Sequence, residues 1–220
     1  MERVIEIPKE FHCLPFFKES VNLIKYHTDN SFEEIIQNTY FIFDIERQYE
    51  PWKEIENSIP AMLNVWKNKH EDIAILFRNR NKQEAEGPMI LFAAHLLSVV
   101  YWLNEQPVHS LNEMQINTNK LKVQPVNFME RYSFIIKKPS NYHSYIQLAQ
   151  LYIEIEKLYV KKMITAPKTT RQKIRIPFGA GSILFAQMNM TIIAIMNKTT
   201  TAAAMIAPVL RLRVSVFSRP

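Results

Sequence analysis

Apolar positions in this chain recur at helical spacing from about residue 31 to about residue 162. "NSFEEIIQNTYFIFDIE" sets Ser31 three residues before Glu34, the spacing of a capping box, in which hydroxyl and carboxylate each satisfy a free backbone N–H. Ile35, Ile36, Tyr40, Phe41 and Phe43 then supply an apolar face. "PWKEIENSIPAMLNVWKNK" opens on Pro51, suited to a first helical turn, while Pro60 predicts a break or a second start near Ser58. "HEDIAILFRNRN" carries acids in front and arginines behind, the order that a helix dipole favours.

The densest apolar block runs from Met89 to Asn104, where 13 of 16 residues are apolar and none is Lys, Arg, Asp or Glu. Pro88 and Pro107 predict its start and stop. The block is shorter than the roughly 20 residues of a membrane span, so it reads as a buried central helix. Two more helices follow, "VNFMERYSFIIKK", ended by Pro139, and "SNYHSYIQLAQLYIEIEKLYVKKM". Before residue 165 only "RVIEI", residues 3–7, alternates like a strand. The expected fold is all-α: a single bundle of six or seven helices around residues 89–104, occupying residues 1–163, with an irregular C-terminal extension over 164–220.

Composition changes this picture mainly at the C-terminus. All 21 acidic residues lie at or before Glu156, and residues 157–220 carry 11 of the 27 basic groups. The net charge of +6 and the pI near 9.3 therefore describe the extension, and the helical part is mildly acidic. No nucleic-acid partner is expected for the core domain. Only three glycines argue against a turn-rich β architecture, and the single Cys13 excludes an internal disulfide. The start "MERVIEIPKEFHCLPFF" lacks the apolar run of a signal peptide, so the expected location is cytoplasmic.

Candidate chemistry is sparse. No two histidines stand at the spacing of a helical metal motif, and "HEDIA" has Ala74 where a zinc-protease helix needs its second ligand. "FGAGS", residues 178–182, lacks the Lys-Ser/Thr of a phosphate loop. No metal and no cofactor are implied. His95, inside the apolar block, needs either a local hydrogen-bond partner or a working role as a neutral base or ligand. "PSNYHSY" brings Tyr142, His143 and Tyr145 to a helix start beneath Lys137 and Lys138, which reads either as an anion site or as an ordinary capped helix with packed tyrosines. Cys13 beside His12 reads as an inert thiol.

"PWKEIENSIPAMLNVWK" and "ERYSFIIKKPSNYHSYIQLAQLYIEIEKLY" resemble the YpoC-like family of low-GC Gram-positive bacteria over roughly residues 51–162. The resemblance implies a small, mostly helical cytoplasmic bacterial protein and transfers no functional residue.

Three readings of residues 164–220 stay open. The uncharged run 176–197 is the one segment through which a membrane anchor is expected; the basic groups suit association with a nucleic acid or an anionic membrane; and the abrupt loss of acids suits an out-of-frame extension. For the domain, the leading expectation is a non-enzymatic protein-interaction module acting through the exposed face of residues 126–162, with protein as its partner. The rival is a small ligand-binding or enzymatic bundle using His95 or His143.

Overall fold

The computed structural model describes residues 1–165. The extension from residue 166 onward, including the candidate span 176–197, lies outside the described residues. The domain is mostly helical and is built around one buried helix, as the hydrophobic pattern predicts. A two-stranded antiparallel hairpin, β1 (Glu2–Glu6) and β2 (Leu23–His27), precedes seven helices: α1 (Phe32–Asn38), α2 (Ile42–Glu46), α3 (Ile55–Arg78), α4 (Lys82–Trp102), α5 (Met114–Thr118), α6 (Phe128–Lys137) and α7 (Tyr142–Thr165). The strand expected over residues 3–7 forms one residue earlier, over Glu2–Glu6. Its partner "LIKYH" aligns Glu2 with His27 and Glu6 with Leu23.

The hairpin is tied to α2 by polar contacts. Arg3 pairs with Glu46 at 2.7 Å and donates to Gln48, while the Tyr26 hydroxyl donates to Glu46 at 2.7 Å. At the head of α1 both capping-box bonds form: the Glu34 N–H donates to Ser31 Oγ, and the Ser31 N–H donates to Glu34 Oε2.

The α3 helix is unbroken through Pro60, against the break expected there. Ser58 starts no second helix, because its hydroxyl is already committed to the Pro51 carbonyl at 2.7 Å. Pro60 removes one backbone bond, but Ile59, Met62, Leu63 and Trp66 are buried around it, and that packing holds the helix together. The central helix also begins earlier than Pro88, at Lys82. Its start is set by the turn before it. Arg80 takes a left-handed conformation at φ 62°, the Asn81 N–H reaches back to the Leu76 carbonyl, and the Arg80 N–H reaches that of Phe77. These two bonds are the Schellman pattern that ends α3. Ala85 is then fully buried one turn into α4.

From Ala93 to Leu103 every residue of this segment is buried, with Leu96, Leu97, Val99 and Val100 fully so. Each such side chain contributes about 1.5–3 kcal/mol of transfer free energy. By length and composition α4 could cross a membrane, yet 72% of its apolar window is buried inside the domain. Helices α3, α6 and α7 pack on it. Tyrosines fasten them: Tyr132 of α6 donates to the Ala93 carbonyl at 3.0 Å, and Tyr152 of α7 donates to that of Phe92 at 2.9 Å.

Candidate functional site

The α6–α7 hairpin turns tightly at residues 138–141. Asn141 accepts the His143 N–H through Oδ1 at 2.9 Å, and the Ser144 hydroxyl donates to the Lys138 carbonyl at 2.7 Å. The head of α7 is thereby capped from within, which is the ordinary-cap reading of "PSNYHSY". Helical phase then divides the candidate cluster. Tyr142 and Tyr145 share the face turned toward α3: Tyr145 is 7% exposed and donates to the His70 carbonyl, and both rings lie against Phe77. Tyr142 remains 55% exposed. His143, one residue and about 100° further round, points the other way, edge-on to Phe134 at 6.3 Å. Lys137 stands beside it, and Lys138 is exposed outside this set.

His143 and Lys137 line one end of an open groove of about 910 Å³ between α6 and α7. Arg131 forms its floor. The guanidinium donates to Gln147 at 3.0 Å and to both oxygens of Glu154 at 2.8 and 3.0 Å, so it pins α6 to α7. Glu130, Phe134 and Lys137 follow one another along the α6 wall, with Ser133 between them. Phe134 is 37% exposed and Val126 at the far end 77%. The side chains of Glu130 and Lys137 make no ion pair among the described residues. The groove is thus polarised, with Lys137 and His143 at the turn end and Glu130 and Glu154 at the other. Arg131, Glu130 and Phe134 were not singled out in the sequence, although their helical spacing in "MERYSFIIKK" places the last two on one face with Lys137.

The interior holds a second polar cluster. Asp44 on α2 is buried, and its carboxylate accepts from Ser98 Oγ at 2.9 Å, Trp102 Nε1 at 3.0 Å and the Val108 N–H at 2.9 Å. Burial pushes its pKa up to about 6 against the lowering effect of these donors. His95 lies one turn before Ser98, is 1% exposed and donates from Nε2 to the Thr39 carbonyl at 3.1 Å. Among the described residues its Nδ1 has no partner, and burial lowers its pKa to about 4, so the ring is neutral at physiological pH. The void between these residues is about 10 Å³, at the lower limit for a single water. His95 thus finds the local partner that a core histidine needs, and no ligand-sized cavity meets it here. The lone acid in the apolar run "FIFDIE" was the available signal for Asp44. Cys13 is half-buried, and burial raises its thiol, which favours the protonated, unreactive form. Among the described residues no cluster of His, Cys, Asp and Glu could hold a metal ion.

These features define a small helical domain with a sealed polar core and an open, polarised groove on its C-terminal hairpin. A family model described as YpoC-like protein matches residues 56–167, and the chain belongs to that family. It is 30% identical over 123 residues to a protein of Bacillus subtilis (strain 168) named "Uncharacterized protein YpoC", covering 56% of this chain and 75% of that protein. No solved structure matches. The matched residues contain α3, apart from its first residue, through α7 and the whole groove; β1, β2 and Asp44 precede them.

Proposed function

We propose that this protein is a non-enzymatic, cytoplasmic interaction module of the bacterial cell that binds a protein partner through the α6–α7 groove. One observation supports this above the others: an exposed aromatic ring, Phe134, stands between two opposite charges, Glu130 and Lys137, that form no ion pair among the described residues, on a wall held rigid by Arg131. Aromatic anchors rimmed by polar groups and already fixed in place are what protein interfaces use, because little side-chain entropy is lost on binding. The rival reading through His95 receives no support from a histidine enclosed around a void of about 10 Å³. His143 remains on the groove as a contact residue.

A photo-reactive amino acid at position 134 of the full chain, expressed in its native cell type, tests the reading. Adducts to a protein, identified by mass spectrometry, are expected at 134 and not at exposed Glu84 on α4. A folded protein that gives no adduct at 134, or equal adducts at both positions, would sink it.

A further inference from the structure

The α6 wall of the groove has an internal symmetry. Glu130 and Lys137 are seven residues apart, which is about 10 Å along a helix and nearly the same face. Their midpoint falls between Ser133 and Phe134. A second α6 laid antiparallel across the first, with a two-fold axis through that midpoint, therefore pairs residues in two complementary ways at one register. Each Glu130 meets a Lys137, and each Phe134 meets a Ser133. The first pairing joins opposite charges that have no ion-pair partner among the described residues. The second sets a 37% exposed ring over a small, half-buried side chain, a knob facing a hole. All four residues line the groove.

We propose that this face is an isologous dimer interface and that the occupant of the groove is a second copy of this chain. This rests on the interaction reading above and names its partner. A closed two-fold contact uses one patch twice, so a patch must carry both halves of every complementary pair. The α6 face does so with charge and with shape. A partner of another sequence would need to supply, opposite Glu130, Ser133, Phe134 and Lys137 in turn, a base, an aromatic, a small residue and an acid; a second copy supplies this order without further requirement. Arg131 serves the interface by fixing the α6–α7 geometry before association, through Gln147 and Glu154. Val126, 77% exposed at the end of the groove, lies where the second copy extends the contact.

Sedimentation of the full chain through the micromolar range, with charge variants, tests the proposal. The unmodified chain is expected to dimerise. Glu130→Lys places lysine opposite lysine twice in the dimer, and Lys137→Glu places glutamate opposite glutamate twice, so each is expected to weaken association roughly tenfold or more. The double variant E130K/K137E restores both pairs and is expected to recover dimerisation. A purely structural role for these exposed residues gives no such rescue, and thermal melts confirm that each variant is folded. A chain that stays monomeric, or a double variant as weak as the singles, overturns the proposal. The cross-link at position 134 separates this outcome from failure of the broader reading. An adduct of twice the chain mass supports the dimer; an adduct to a different protein overturns the dimer and keeps the interaction module; no adduct overturns both.

Discussion

The rings of Trp66 on α3 and Tyr152 on α7 lie face to face, 4.2 Å apart and 4° from parallel. The Tyr152 hydroxyl passes beyond this stack to the Phe92 carbonyl on α4, so one side chain binds three helices. Two substitutions separate its contributions. Tyr152→Phe keeps the stack and loses one buried hydrogen bond, which costs about 1 kcal/mol. Tyr152→Ala also empties the site and is expected to cost about 3–5 kcal/mol, a large share of the stability of a domain this size. Urea unfolding measures both. Equal losses would mean that the hydroxyl, not the ring, holds the helices.

Asp44 and His95 give the core opposing pH dependences. The folded-state pKa of Asp44 is raised from 3.8 to about 6, so the native state binds this proton more readily than the unfolded chain. Its contribution favours folding at low pH and is lost as pH rises from about 4 to 6. His95 is lowered from 6.5 to about 4, so the native state resists its proton and stability is lost as pH falls from about 6.5 to 4. Each effect amounts to roughly 3 kcal/mol across its window, and the two largely cancel in the native chain. Asp44→Asn removes one of them. The amide keeps an acceptor for Trp102 and Val108 and can donate to the Ser98 hydroxyl, so the variant should fold. It is expected to lose stability between pH 6.5 and 4 more steeply than the native chain. Denaturant midpoints at three pH values decide this, and parallel curves would remove the proposed compensation.

With only three glycines in the chain, left-handed backbone positions fall to other residues: Phe41, Arg47, Arg80, Glu105 and Asn127 all have φ near 60°. Arg80 is the clearest case, because it is exposed and its backbone closes α3. Glycine carries no Cβ penalty there. Arg80→Gly is therefore expected to stabilise the domain by about 0.5–1 kcal/mol, a rise of roughly 1–4 °C in melting temperature. Arg80→Ala, which keeps the strain, should change little. Destabilisation by both would assign the Arg80 side chain a role that its geometry does not display.

Local signals in the sequence were readable where local chemistry decides the outcome. The Ser31–Glu34 cap needs only its own four residues, and both bonds form. The central helix was legible because an uncharged block has nowhere to go but inward. The start of α4 at Lys82 and the continuity of α3 through Pro60 were not legible, because each is settled by packing against distant residues, Ala85 and Met62 among them. The strand Leu23–His27 was missed for a related reason: five residues with one weak alternation become a strand only when β1 pairs with them. The groove falls within residues 126–162, and the tyrosine cluster read along the chain as one group divides on the helix. Tyr142 and Tyr145, three residues apart, share one face, and His143 turns to the other.

The domain reading leads to a last prediction, about where the folded unit ends. Leu148, Leu151, Tyr152, Ile155 and Tyr159 of α7 are all buried against the core. Beyond them Lys162 donates to the Leu103 carbonyl at 2.8 Å and to Glu105 at 2.6 Å, fastening the end of α7 to the end of α4. A fragment of residues 1–165 retains every one of these contacts. It is expected to melt cooperatively, within a few degrees of the full chain. A stop after residue 150 removes Leu151, Tyr152, Ile155 and Tyr159 together. Losses of about 2–5 kcal/mol for each add to roughly 8–20 kcal/mol, as large as the 5–15 kcal/mol typical of a whole domain. That shorter fragment should show no transition at all. Were the 1–165 fragment to lack a cooperative melt that the full chain displays, residues beyond 165 would belong to the folded unit, and the interface tests would have to be read with them in place.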